Sequence, residues 1–242
     1  MSARIWIGTS GYHYKHWKGN FYPERCPASH MLQLYVQRFD TVELNNTFYH
    51  LPKLPAVECW RDTTPEHFCF AVKGSRFLTH MKKLKDPKPG LARFLEAVEV
   101  LQHKLGPILF QLPPNWELDI DRLQAFINCL PKYHRYAFEF RNATWNTEPV
   151  YSLLRRHNAA YCAFHLAGFQ SPVEITSDLV YIRLHGPGGK YQGSYDDAAL
   201  TGWADRIRSW RETMKSIYVY FDNDQAGYAA HDALRLKHML GI

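Results

Sequence analysis

The fold class this chain predicts is a TIM-type (β/α)8 barrel, compact and somewhat irregular, and three observations predict it. Short β-rich runs alternate with amphipathic helical stripes, which implies a mainly parallel sheet. There are eight such runs, beginning near Arg4, Thr41, His67, Pro107, Arg135, Ala160, Leu179 and Ser216. The chain has 242 residues, 46% of them apolar, close to the roughly 250 that such a barrel takes as one domain.

The elements follow in order. The first strand ends in Gly8-Thr9-Ser10-Gly11, which is not the dinucleotide fingerprint an open doubly wound sheet would carry there. The loop after it, 11–23, holds Tyr12, Tyr14, Trp17, Phe21 and Tyr22. These rings pack the loop onto the barrel or, as the second reading, stack on bases or sugars. Trp116 and Trp145, after the fourth and fifth strands, invite the same two readings. Leu32, Tyr35, Val36 and Phe39 are spaced i, i+3, i+4, i+7, the mark of a helix with one buried face. Only a short helix, 57–61, precedes the third strand. The loop 74–88 carries Arg76, His80, Lys82, Lys83, Lys85 and Lys88, a basic rim expected to be solvated. The cleanest stripe is Leu91, Phe94, Leu95, Val98, Leu101 and Leu105. Leu123, Phe126, Ile127 and Leu130 form the next, and Val150, Leu153 and Leu154 follow. Residues 166–178 are too short and irregular for a good helix. Leu200, Trp203, Ala204, Ile207 and Trp210 precede the last strand, and Ala229, Ala233, Leu236 and Leu240 close the chain. With no linker and no internal repeat, residues 1–242 read as one domain.

Composition narrows the class of protein. Five scattered cysteines without metal-type spacing read as reduced thiols. No apolar signal region or membrane-length run is present, so a soluble cytoplasmic protein without membrane contact is expected. The net charge of +6 favours anionic partners: phosphates, carboxylates or nucleic acid.

Strand parity supplies the candidate site. Alternate residues of a barrel strand point inward. Glu43 and Asn45 oppose Val42 and Leu44; Lys73 opposes Phe70 and Val72; Gln111 is off-phase from Phe110 and Leu112. Glu139 and Arg141 oppose Phe138 and Phe140, and Arg183 and His185 oppose Ile182 and Leu184. In the last strand Asn223 shares parity with Val219 and Phe221 and is expected to face in, which turns Asp222 away. Five or six strands thus bring polar residues to their C-terminal ends, where barrel active sites sit. Charge there is costly unless paired or functional, and mutual pairing is the competing explanation. The seventh strand ends in His185-Gly-Pro-Gly-Gly-Lys190. The amide of Gly186 and the charge of Lys190 suit an anion in the phosphate position of this architecture. The N-terminus of the last helix, near Gly227, favours an anion too, with Asp224 competing as its cap.

Several segments resemble the YecE-like family, known as domain of unknown function 72. They are Ile7-Gly-Thr-Ser-Gly-Tyr12 with Trp17 and Phe21-Tyr-Pro23, Glu43-Leu-Asn-Asn-Thr-Phe-Tyr49, Phe70-Ala-Val-Lys73 and Phe110-Gln-Leu-Pro-Pro114. Later come Phe138-Glu-Phe-Arg141 with Trp145, Tyr181-Ile-Arg-Leu-His-Gly186, and Tyr220-Phe-Asp-Asn-Asp224 with Gly227 and Ala229. They span nearly the whole chain in order. The resemblance implies a TIM-type barrel and no agreed activity. Tyr12 stands where the family often has Trp, and Asp222-Asn223 where it often has two Asn.

The chemistry these residues point to is acid–base work on a small anionic or phosphorylated substrate, with no cofactor predicted. Glu43 or Glu139 would be general acid or base, its pKa raised by burial, and His185 would move a proton. Lys73, Arg141 and Arg183 would hold charge; Asn45, Gln111 and Asn223 would orient the substrate. One alternative is a divalent-metal phosphoesterase or isomerase drawing ligands from Glu43, Glu139, His185, Asp222, His80 and His165. Another is a nucleic-acid or nucleotide-binding module without catalysis. Narrower readings are a Glu43/Glu139 glycosidase pair and a Schiff base on Lys73 should its surroundings lower its pKa.

Overall fold

A computed structural model describes residues 2–242. The eight barrel strands are β1 (Arg4–Thr9), β2 (Thr41–Leu44), β3 (Cys69–Lys73), β4 (Leu105–Gln111), β5 (Tyr136–Glu139), β6 (Ala160–Leu166), β7 (Leu179–Leu184) and β8 (Ser216–Phe221). Their order around the sheet is β1-β8-β7-β6-β5-β4-β3-β2, and each of these neighbouring pairs is parallel. The helices are α1 (Met31–Tyr35), α2 (Asn46–Tyr49), α3 (Leu54–Thr63), α4 (Lys88–Val98), α5 (Ile120–Ile127), α6 (Glu148–Arg156), α7 (Asp197–Trp210) and α8 (Tyr228–Leu240). Among the described residues no helix is long and apolar enough to cross a membrane.

The barrel is nearly closed rather than fully hydrogen-bonded. Between β1 and β2 there is no continuous ladder, only a parallel bridge of Ser10 with Glu43, where the Gly11 N–H donates to the Glu43 carbonyl at 2.8 Å. Just below it, the hydroxyl of Tyr35 from α1 enters the seam. It accepts from the Thr9 N–H at 3.0 Å and donates to the Thr41 carbonyl at 3.0 Å. A phenol thus replaces a missing ladder rung and satisfies two buried backbone groups. Gly8 allows the approach, since a Cβ there would lie 2.3 Å from the Thr41 carbonyl oxygen.

Two elements differ from expectation. The helix before β3 runs from Leu54 to Thr63 and so exceeds the predicted 57–61. Pro55 at its first turn suits a helix start, which the apolar pattern alone did not reveal. After β6 no helix forms, as expected; a two-residue strand, Phe169–Gln170, folds back antiparallel on β6.

The core has two shells. Val42, Phe70, Val72, Ile108, Phe110, Phe138, Ile182, Val219 and Phe221 face the helices and merge with their buried stripes. Inside the barrel Ala71, Leu109, Ala137, Ala160 and Cys162 leave room for the rings of Tyr181 and Tyr220. This small-against-large packing fills the lumen. It also settles β8: Tyr218 and Tyr220 point inward, and Val219 and Phe221 point to the helices. Asp222 therefore enters the barrel and Asn223 leaves it, the reverse of the expected parity.

Candidate functional site

Seven of the eight inward series end, at the C-terminal rim, in a polar residue; that of β6 ends in Phe164. Ser10 caps β1, Glu43 lies in β2, Lys73 in β3, Gln111 in β4, Glu139 in β5, Arg183 in β7, and Asp222 follows β8. The centre of this layer is Arg183, whose side chain is 1% exposed. Its Nη2 donates to Glu43 Oε1 at 2.7 Å, to the Ser10 hydroxyl at 3.1 Å and to Asp222 Oδ2 at 3.2 Å. Its Nη1 donates to Glu139 Oε2 at 3.0 Å. The Glu43 carboxylate also accepts from Ser10 and, at 2.6 Å, from the Tyr181 hydroxyl rising out of the lumen. One guanidinium thereby joins three carboxylates contributed by three different strands.

A second arginine extends the network toward solvent. Arg141 donates from Nε to Glu139 and stacks its guanidinium 4.5 Å from the Phe164 ring centroid. Its Nη2 lies 2.8 Å from His185 Nε2. Guanidinium nitrogens only donate, so Nε2 is the acceptor and the opposite nitrogen, Nδ1, donates to Asp222 Oδ2 at 2.9 Å. Asp222 and Arg141 thus orient His185 from both sides.

Electrostatics follow from this geometry. Burial alone would raise the Glu139 carboxyl, but Arg141 and Arg183 hold it well below the usual carboxylate range. Asp222 is likewise lowered against the effect of burial, by its bond from His185 and by Arg183. The expected upward shift of Glu139 is thus reversed, because burial here comes with two cations. Lys73 is the opposite case. Burial and then the charge of Arg183 push its ammonium down to about 8. The acids of the layer are bonded to Arg183, Arg141 and His185 rather than to Lys73. Its Nζ rests 4.2 Å from the centroid of the Phe48 ring.

Of the other predicted residues, Asn45 borders the layer, donating to the Ser10 carbonyl and to the Tyr14 hydroxyl, both at 3.2 Å. Gln111 is buried and donates to the Leu112 carbonyl at 2.8 Å. Asn223 lies outside the site: it donates to Asp232 of α8 and to the Gly193 carbonyl, both at 2.8 Å, and so ties the loop after β7 to the last helix. The Gly186 amide, with φ of +117°, is spent on the Tyr195 hydroxyl at 3.0 Å and is not open to an anion. Lys190 is exposed and lies over the Tyr191 ring, with no bond to a member of the layer. Gly227, not Asp224, caps α8. His165 and His80 stand apart, bonded to Tyr195 and Thr79. Among the described residues no group of three or more His, Cys, Asp or Glu is placed to hold a metal ion. Glu43 and Glu139 share one guanidinium, which leaves neither as the free partner a glycosidase pair requires. Of the loop aromatics, Trp17, Tyr22, Trp116 and Trp145 are buried and serve packing. Tyr12 and Tyr14, with Asn45, Asn46, Cys59 and Trp60, line a cavity of about 550 Å³ beside the mouth.

Parity missed Ser10, Tyr181 and Asp222. Ser10 follows from the alternation Trp6, Gly8, Ser10, had β1 been phased. Asp222 was hidden because β8 reads Ser-Ile-Tyr-Val-Tyr-Phe, apolar or aromatic on both faces, as strands buried on both sides do.

Fold and site define a class: a nearly closed parallel barrel with helices outside and a buried charged cluster at its C-terminal mouth. The family model described as "Protein of unknown function DUF72" matches residues 6–242, and the chain belongs to that family. It is 24% identical to the UPF0759 protein YunF of Bacillus subtilis over 98% of this chain and 95% of that one. It is 30% identical to the UPF0759 protein YecE of Escherichia coli K12, over 46% of this chain and 41% of that one. A crystal structure of a DUF72 family protein from Thermotoga maritima MSB8 superposes with a TM-score of 0.89 at 29% identity, covering 99% of this chain and 100% of that chain. One from Enterococcus faecalis V583 gives 0.84 at 19% identity, covering 98% and 96%, and shares the fold.

Proposed function

We propose that the chain is an enzyme acting on a small anionic substrate at the barrel mouth, without a metal. The observation that carries this reading is the layering of the cluster. Glu43, Glu139 and Arg183 form a sealed, mutually satisfied frame. Above it Lys73, Arg141 and Asp222 retain some exposure. The frame holds the outer groups in fixed positions, the arrangement a preorganised site needs. Lys73 and Arg141 attract the anion, Gln111 and Asn45 orient it, and the Asp222–His185 pair carries protons. His185 reaches its substrate once the anion draws Arg141 away from Nε2.

The test is a thermal-shift and calorimetric screen of small carboxylates and phosphates against the wild type, R141M and K73M. Stabilisation by at least one anion, weakened in both variants, supports the reading; identical responses in all three proteins sink it. A second reading is favoured by the outer rim. Tyr49 is 66% exposed and Met81 69%, beside the exposed Arg76, Lys82 and Lys85. Aromatic and basic side chains on one rim suit single-stranded nucleic acid. Oligonucleotide binding that weakens steeply with salt would favour it.

A further inference from the structure

We infer that the Lys73 amine is the nucleophile of this site and holds a small carbonyl-bearing anion, a 2-oxo acid in chemical class, as a covalent imine. The inference rests on the anion-site reading above and adds the bond by which the substrate is held. Lys73 is the last residue of β3, points inward, and ends in the charged layer. A lysine kept there to neutralise acids would be bonded to one. Instead Glu43, Glu139 and Asp222 take their bonds from Arg183, Arg141 and His185, and the ammonium lies against the Phe48 ring without an ion pair. A desolvated lysine beside a fixed cation is the setting that activates an amine for carbonyl attack. With its pKa near 8, about a tenth of Lys73 is neutral amine at pH 7, against roughly one part in 2,500 for an ordinary lysine.

The partner group for the carboxylate is at hand. Arg141 uses Nε and Nη2 on Glu139 and His185, while its Nη1 is bonded to none of the described residues. β3 and β5 flank β4, and the register sets Lys73 level with Ala137, so the Arg141 backbone lies four residues nearer the rim and about 16 Å from that of Lys73; both long side chains turn to the same acid, Arg141 bonding Glu139 and Lys73 lying in its field. In the step itself Nζ attacks the carbonyl carbon and the C–N bond forms. One amine proton passes to the carbonyl oxygen. The C–O bond then breaks, and that oxygen leaves as water with the second amine proton. Ketone and amine thus become imine and water, with no oxidant or reductant consumed. The Asp222–His185 pair can relay both protons once the carboxylate draws Arg141 Nη2 away from His185 Nε2.

The test is incubation of the full-length protein with pyruvate and cyanoborohydride, followed by peptide mapping. It is run for wild type and K73R, with and without excess oxalate, an anion that has no ketone. The expected result is a reduced adduct on Lys73 forming at least about tenfold faster than on the exposed Lys132 and Lys190, absent in K73R and suppressed by oxalate. Labelling of Lys73 no faster than the exposed lysines overturns the inference. If oxalate still stabilises the protein in that case, the anion site stands without the imine. Selective labelling that oxalate does not suppress keeps Lys73 as the nucleophile and refutes the anion site. Should K73R fail to fold, the wild-type map alone decides between these outcomes.

Discussion

Replacing Arg183 with Met removes the one group on which three carboxylates converge. Arg183 makes its ion pairs at 2.7, 3.0 and 3.2 Å, and Glu43 and Glu139 have no exposure. Breaking a buried pair by removing one partner costs about 3–5 kcal/mol, because the remaining charge is left uncompensated. For a chain of 242 residues the entropy of unfolding is about 0.5 kcal/mol per degree, so a loss of ~4 kcal/mol lowers Tm by about 8 °C. The sign with pH is fixed too. In the wild type Glu139 and Asp222 have depressed folded-state pKa values. Their stabilisation is present above the unfolded carboxylate range and is lost as pH falls through the folded values. In R183M the same carboxylates are buried with fewer cations, so taking up a proton relieves the folded state as pH falls. Both effects narrow the gap between the two proteins toward acid pH. Urea unfolding at pH 8 and pH 4 measures it. A loss below ~1 kcal/mol that is the same at both pH values would refute the idea that Arg183 is the electrostatic hub.

Three further outcomes follow from the same structure. Tyr35→Phe removes one oxygen but strands the Thr9 N–H and the Thr41 carbonyl in the β1–β2 seam; a cost of about 2 kcal/mol or more in chemical denaturation is expected, and a neutral result would mean the seam closes on its own. Lys73→Met should stabilise the protein at neutral pH, by up to ~3 kcal/mol. The folded pKa of Lys73 is lowered to about 8, so the gain is full below that value and vanishes above the ordinary lysine range near 10.4; melting curves from pH 7 to 10.5 test it. Asp222→Asn should slow reductive labelling of Lys73 without weakening anion binding, whereas Asn223→Ala should lower Tm and leave both labelling and anion binding intact, a split that peptide mapping and thermal shift with and without ligand read directly.

The charged layer was legible because four strands declare both of their faces. In β2, β3, β5 and β7 the apolar residues share one parity and the charged ones the other, so Glu43, Lys73, Glu139, Arg141, Arg183 and His185 could be assigned inward from alternation alone. β8 declares nothing, since tyrosines fill the lumen on one face and Val219 and Phe221 meet the helices on the other. A one-residue error in phase exchanges every side chain between faces, and Asp222 and Asn223 were exchanged in this way. Loop chemistry was less legible for a different reason. The glycines after β7 look open to a ligand, but whether the Gly186 amide is free depends on Tyr195, nine residues on, and no local pattern encodes that bond.

The strongest alternative to any catalytic reading is that the layer is only a satisfied ion network. By charge it balances, with Glu43, Glu139 and Asp222 against Arg183, Arg141 and Lys73. A network kept for stability should spread that balance over its bonds, and five of the six members do so. Lys73 does not. It is largely buried, set near Arg183 and given a ring in place of a carboxylate. Burial without a partner lowers stability, so a purely structural explanation accounts for every charge at the mouth except this one. The prediction that Lys73→Met stabilises the fold therefore discriminates between the two explanations. A stabilised variant that has also lost its response to carbonyl anions identifies a residue maintained for chemistry at the expense of the fold. A destabilised one would show that Lys73 has a structural partner in solution and would return the whole layer to the ion-network explanation.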